Sequence, residues 1–150
     1  MKLREAKRGD EEAIMELIHG LAAYENAPEE VKNDPESLAR DLFDTKVCEA
    51  IVLEEDETVI GFALYYTSYS TWRGPCLYLE DLYVIPEKQR KNAGKLLFNQ
   101  IVSICKERKY RRMDWQVLDW NEPAIKFYQK ENAVLDEEWI NGRLFFDYDN

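Results

Sequence analysis

Apolar residues along the chain recur with two different periods, and each change of period marks a new element. Leu3 to Ala6 reads as a first strand. From Asp10 the spacing turns helical, with Ala13, Ile14, Leu17, Ile18, Leu21 and Ala22 on one face and Asp10 as the expected N-cap. A second, shorter helix is predicted over Asp34 to Phe43, with Pro35 in its first turn. Strand-like runs follow at Glu49 to Leu53, Val59 to Thr67 and Cys76 to Ile85, the first two joined by a turn over Glu54 to Thr58 and the third closed by Pro86. After Gly94, Leu97, Ile101, Ile104 and Cys105 line one side of a helix, and Met113 to Leu118 reads as a strand. Asn121 opens a last helix carrying Ile125, Phe127 and Tyr128. Val134 to Trp139 and Arg143 to Tyr148 predict a terminal hairpin, because Asn141-Gly142 suits a type I′ turn. The order β-α-α-β-β-β-α-β-α-β-β predicts a mixed α/β (α+β) fold, one sheet with helices on its faces. Without repeats or linkers, residues 1–150 are expected to form a single domain.

Composition narrows the class. Hydrophobic residues make up 45% and charged residues 33%, and no apolar run approaches the roughly 20 residues of a membrane helix. The basic N-terminal residues precede no apolar segment, so a cytoplasmic protein is expected. A net charge of −10 argues against nucleic acid and suits a small cationic partner. The charge is uneven: Lys88 to Arg112 holds nine basic residues against the single acid Glu107. That stretch is either a place for a polyanion or a solvated helix face. Cys48, Cys76 and Cys105 are odd in number and sit among apolar neighbours, as reduced, packed thiols do. His19 is the only histidine, no zinc spacing accompanies it, and no nucleophile elbow is present, so neither a metal nor a covalent acyl-enzyme is expected.

The unit from Leu77 to Ile104 carries the most chemistry. A strand ending at a proline, a basic loop and a glycine at the mouth of an amphipathic helix make a site for a pyrophosphate, since helix amides and dipole both favour an anion there. The glycine spacing is neither that of a Walker loop nor that of a dinucleotide fingerprint, and an ordinary loop is the alternative. Glu80 and Asp81 interrupt an apolar strand, where alternation would send them to opposite faces, one of them into an environment that must solvate or pair it. A structural ion pair is the other reading. For Tyr128, on a helix beside Phe127, the plain reading is burial with a satisfied hydroxyl.

The loop Gln89-Arg90-Lys91-Asn92-Ala93-Gly94 resembles the pyrophosphate loop Gln/Arg-x-x-Gly-x-Gly/Ala of the GNAT superfamily of N-acetyltransferases. Tyr78-Leu79-Glu80-Asp81-Leu82-Tyr83-Val84, Trp120-Asn121-Glu122-Pro123-Ala124-Ile125-Lys126-Phe127-Tyr128, Tyr24-Glu25 and Tyr69-Ser70-Thr71-Trp72-Arg73-Gly74 are similar to its diamine (spermidine/spermine) branch. The resemblance implies a twisted sheet that splays open for the pantetheine arm of acetyl-CoA, with no metal. It implies that Gln89, Arg90, Lys91, Asn92, Ala93, Gly94 and Lys95 hold the pyrophosphate, that Leu82, Tyr83 and Val84 pair with pantetheine through their backbone, and that Asn121 and Ala124 complete the cofactor side. Glu80 would relay a proton from the substrate ammonium, Tyr128 would protonate the leaving sulfur, and Tyr24, Glu25, Ser70, Trp72, Glu80 and Asp81 would line the amine site. Trp72 otherwise reads as core. Two departures stand out. Asn92 replaces a loop glycine, as Asn132 replaces one after the last helix, and asparagine tolerates left-handed angles best after glycine. Ser70 replaces an acidic residue, and Ser-Thr-Trp looks like a sibling branch that acts on thialysine. The expectation is direct acetyl transfer to a small cationic amine, a diamine or polyamine, by a homodimer. The alternatives are a thialysine or lysine-type acetyltransferase, a non-catalytic acyl-CoA-binding module, and a protein-lysine acetyltransferase.

Overall fold

Strands made in sequence pair in sequence. In a computed structural model, which describes residues 1–148 without the side chains of Arg90 and Lys91, β1 (Lys2–Glu5), β2 (Glu49–Glu55), β3 (Thr58–Ser70), β4 (Gly74–Val84) and β5 (Met113–Asp114) form one sheet in the order β1-β2-β3-β4-β5. The first four are antiparallel, and β5 joins β4 in parallel. Asp56 and Glu57, both at positive φ, make the tight turn between β2 and β3. The chain divides into two units, Met1–Gln116 and Val117–Asn150.

In the first unit the sheet is covered on both faces. The helix α1 (Glu11–Tyr24) and the short α2 (Pro35–Ala39), which runs on as a π-helical turn over Arg40–Asp44, bury Ile14, Leu17, Leu38 and Leu42 against Ala50, Val52, Phe62 and Leu64. Opposite, α3 (Ala93–Glu107) packs Leu97, Ile101 and Ile104 on Ile51, Leu53, Ala63, Leu77 and Leu79. Each buried Leu, Ile, Val or Phe among them contributes about 1.5–3 kcal/mol. Asp34 caps α2 as its type suggests, accepting from the Ser37 amide at 2.8 Å. Asp10 precedes α1 but does not cap it. Its carboxylate is drawn instead to the Arg4 guanidinium, at 2.7 and 2.9 Å, and to the Lys7 amide at 2.8 Å.

Two expected elements are shorter or missing. The strand expected over Met113 to Leu118 pairs only at Leu77↔Met113 and Tyr78↔Asp114, although Trp115, like Met113, packs on the α3 side, edge-on against Phe98. In the second unit, α4 (Glu122–Lys130) is capped by the Asn121 side chain, which accepts from the Ala124 amide at 3.4 Å, and Asn132 follows it at φ 65°. The terminal hairpin is not formed: residues 134–148 carry no strand, and Trp139, Ile140, Leu144, Phe145 and Phe146 are exposed. An Asn-Gly turn is a local preference, whereas two strands without a third partner or an apolar cover are marginal in water.

Candidate active site

Glu80 sits on a β-bulge. Tyr65 pairs with Leu79 and Leu64 with Asp81, so Glu80 is the extra residue of β4. The alternation of the strand reverses there. Leu77 and Leu79 point to α3 before the bulge, and Leu82 and Val84 do so after it. Glu80 and Asp81 therefore share the opposite face, which corrects the expectation that adjacent carboxylates would split between faces. Two contacts agree with this. The Tyr66 hydroxyl donates to Glu80 Oε1 at 3.5 Å, the limit of a hydrogen bond, and Tyr66 points away from the α3 side that holds Tyr65. Asp81 lies opposite Leu64, which packs on α1, and feels the charge of Glu25 at the C-terminal end of that helix.

The two carboxylates differ in surroundings. Glu80 is exposed, whereas Asp81 is half-buried and takes part in no side-chain hydrogen bond or ion pair among the described residues, so the ion-pair reading does not hold for it. Burial first, and then the charges of Glu80 and Glu25, push the Asp81 carboxyl up to about 7. Burial also raises the Glu25 carboxyl. Tyr66 and Tyr78 stack beside Glu80, with ring centroids 5.3 Å apart. Sequence reasoning did not select this pair, although Tyr66 stands opposite Tyr78 in the β3–β4 register.

Other amine-side positions fall at element ends. Tyr24 ends α1 and is exposed. Ser70 closes β3, and its Oγ accepts from the amides of Trp72 at 3.2 Å and Arg73 at 3.1 Å, so it shapes the hairpin turn. Trp72, 91% exposed at that turn, is not core.

On its β5 side, β4 has no strand partner from Leu79 to Val84 among the described residues, since β5 ends at Asp114, and Leu82, Tyr83 and Val84 lie along that edge. A 3₁₀ turn over Pro86–Lys91 follows, and the Gln89 side chain is turned inward to donate to the Val84 carbonyl at 2.8 Å. Gln89 thus fastens the loop to the strand. The side chains of Arg90 and Lys91 lie outside the described residues. Asn92 adopts φ 59°, ψ 23°, the left-handed conformation a glycine would supply, and opens α3 without a side-chain cap. The amides that begin a helix have no carbonyl behind them, so Ala93, Gly94 and Lys95 stand where an anion is favoured. A Cβ on Gly94 would meet only Leu82 Cδ2, at 4.0 Å, which leaves room in front of the turn. The basic stretch is not one continuous anion surface. Lys88 pairs with Glu55, Arg108 makes a bidentate pair with Glu49 at 2.7 Å, and Arg112 pairs with Asp114.

In the second unit, Asn121 and Ala124 form the cap of α4. Tyr128 is only half-buried, edge-on to Phe127 at 5.4 Å, so the full burial considered for it is not observed.

An open strand edge that leads to an uncapped helix N-terminus, with carboxylates on a bulge of the same strand, is an arrangement compatible with an acyl-CoA-dependent N-acyltransferase, and the comparisons with known proteins establish the class. The chain belongs to the acetyltransferase (GNAT) family, whose model matches residues 15–133. It is 36% identical over 140 residues to a thialysine N-epsilon-acetyltransferase of Bos taurus, covering 87% of this chain and 82% of that protein. It is 32% identical over 136 residues to a protein of the same name from Caenorhabditis elegans, covering 89% and 84%. Among solved structures, an aminoglycoside acetyltransferase from an uncultured soil metagenomic sample superposes with a TM-score of 0.79 at 19% identity, covering 97% of this chain and 96% of that one, and shares the fold. The protein is an N-acetyltransferase that uses acetyl-CoA as its co-substrate. No group of residues that could hold a metal occurs among the described residues.

Proposed function

We propose that the protein acetylates a primary amine of a small cationic molecule, foremost the side-chain amine of a thialysine-like or lysine-like amino acid. The observation that carries this reading is the bulge, which gathers Glu80 and Asp81 on the face that Glu25 approaches. Such a face favours a cation. Relatives named thialysine acetyltransferases support an amino-acid amine over a polyamine, as does Ser70, whose hydroxyl is spent on its own turn and adds no charge. The polyamine reading remains second, supported by three carboxylates that suit a substrate with more than one positive charge.

Acetyl-CoA supplies the activated acetyl thioester. The backbone edge of Leu82, Tyr83 and Val84 and the amides opening α3 would bind and orient it, with Gln89 holding the loop in place. Asn121 and Ala124 are assigned to the cofactor side by family resemblance, as are Arg90, Lys91 and Lys95. Only a neutral amine attacks a thioester, so the ammonium must lose a proton first. Glu80, exposed on the bulge, is the group proposed to relay it through water. Tyr128 is proposed to give its phenolic proton to the departing sulfur, a role in which a positioned acid contributes about 10² to 10⁴ in rate. Tyr24, Trp72 and Asp81 are proposed to hold the rest of the amine, Trp72 through its ring face. The same reading takes the chain as a cytoplasmic homodimer whose two units belong to one catalytic domain, as the span of the family match across both supports.

The test is acetyl-CoA turnover against thialysine, lysine, ornithine, putrescine, spermidine and spermine. The highest kcat/KM is expected with thialysine. Preference for spermine would reverse the order of the two readings, and no turnover with any amine would favour a binding module.

A further inference from the structure

Within the amine site proposed above, the charge balance does not fit three ionised carboxylates. Glu80 and Asp81 are adjacent residues on one face of β4, and Glu25 approaches from the end of α1. The groups around Asp81 can be taken element by element. Its own strand supplies Glu80, α1 supplies Glu25, and β3 supplies Leu64 opposite it and the Tyr66 hydroxyl beside Glu80. Both charged groups acting on Asp81 among the described residues are negative. Its carboxyl has neither a hydrogen-bond partner nor a counter-ion among those residues, yet it is not sealed from solvent. A half-buried acid beside two like charges lowers its energy by keeping a proton until a cation arrives.

We propose that Asp81 is the proton-exchanging residue of the amine site: its carboxyl is neutral in the amine-free protein and ionises as a cationic amine binds, the proton passing to bulk water. The site thereby matches its charge to its occupant. Empty, it avoids a third uncompensated carboxylate; filled, it gains a direct counter-ion for the substrate's second positive group. Burial and the two neighbouring carboxylates, which already hold this acid near neutrality, agree with that behaviour. Asp81 is on this account a specificity residue. An amine with a second cationic group draws the proton off, and a neutral-tailed monoamine leaves it in place.

The proposal rests on the amine reading, and the experiment separates the two. In protein labelled with carbon-13 at aspartate carboxyls, one resonance absent from Asp81→Asn is expected to titrate near neutral pH without amine. Glu25→Gln and Glu80→Gln should each move that midpoint down. Saturation with thialysine or spermidine, in the presence of CoA, should lower it by at least about one pH unit, a tenfold change in the ionisation constant. Calorimetry of the same binding near pH 6.5, in buffers of different ionisation enthalpy, should show proton release in wild type and none in Asp81→Asn. If no aspartate resonance titrates above about pH 6, or if amine binding exchanges no proton, the proposal is overturned while amine binding stands. If no amine binds, the amine reading falls and this proposal falls with it, a failure the absence of any binding heat identifies.

Discussion

An asparagine at position 81 would keep the shape of the side chain and have no proton to lose. Burial and the charges of Glu80 and Glu25 push the Asp81 carboxyl from 3.8 in a solvated chain up to about 7, so the unfolded state ionises first as pH rises. The resulting cost to stability is absent below about pH 4, grows from there to about pH 7 and is constant above it, at most about 4 kcal/mol. Asp81→Asn is therefore expected to raise Tm by several degrees at pH 8 and to leave it unchanged at pH 4, as scanning calorimetry at the two pH values would show. Equal shifts at both would mean that packing, not ionisation, is what the substitution changes. At Tyr128 the expectation is the reverse, a loss of rate without a loss of stability. Tyr128→Phe keeps the ring and its edge-on contact with Phe127, and kcat should drop by about 10² or more while KM for acetyl-CoA holds. An unchanged kcat with thialysine would return Tyr128 to a packing role. At this scale the sequence shows which residues are chemically unusual but not how they point. Two carboxylates in an apolar strand are plain to see. Their shared face depends on a bulge, and a bulge exists only relative to the partner strand. The inward turn of Gln89 and the exposure of Trp72 were hidden for the same reason, since both depend on neighbours distant in sequence.

Elements with a strong internal period were legible. Both long helices of the first unit and β2, β3 and β4 lie where the apolar spacing puts them, because each buries a continuous apolar face. Elements whose pairing must come from elsewhere were not. The strand that begins at Met113 is two residues long, since its length depends on a neighbouring strand and not on its own apolar residues, and the terminal segment shows what a turn signal alone is worth. Two glycines test the geometry between elements. At Gly61 of β3 a Cβ would sit 3.0 Å from the Tyr83 carbonyl and 3.0 Å from Val84 Cγ2, and the strand backbone has nowhere to move. Gly61→Ala should cost about 1–3 kcal/mol in urea denaturation. A neutral result would show that β3 and β4 can separate there. At Gly94 the space is open, so Gly94→Ala should fold normally, and Gly94→Trp should fold but lose CoA binding by calorimetric titration. Retained affinity in the tryptophan variant would place the pyrophosphate elsewhere.

For the molecule as a whole, the net charge of −10 and the basic run between residues 88 and 112 suggested a division of labour between an anionic amine site and a cationic cofactor site. The division survives only in part, because several of those bases are spent on ion pairs with Glu49, Glu55 and Asp114. On the reading proposed above, the cofactor meets Arg90, Lys91 and Lys95 together with backbone: the start of α3 and the margin of β4 that has no strand partner among the described residues. That margin has a consequence for solubility. A row of strand amides and carbonyls without a partner is a template for any other extended chain, and proteins ordinarily blunt such rows with charge, bulges or cover. Here the bulge at Glu80 protects one end and the Gln89 side chain covers the Val84 carbonyl at the other, while Leu82 to Val84 carry no charged side chain. A bound pantetheine arm would supply the cover and, by mass action, stabilise the folded state as well. Protein stored with excess CoA should therefore resist aggregation on mild heating better than protein stabilised equally by an osmolyte, as light scattering would record. Identical scattering in the two at matched Tm would mean that the margin of β4 is not where the chains first stick together.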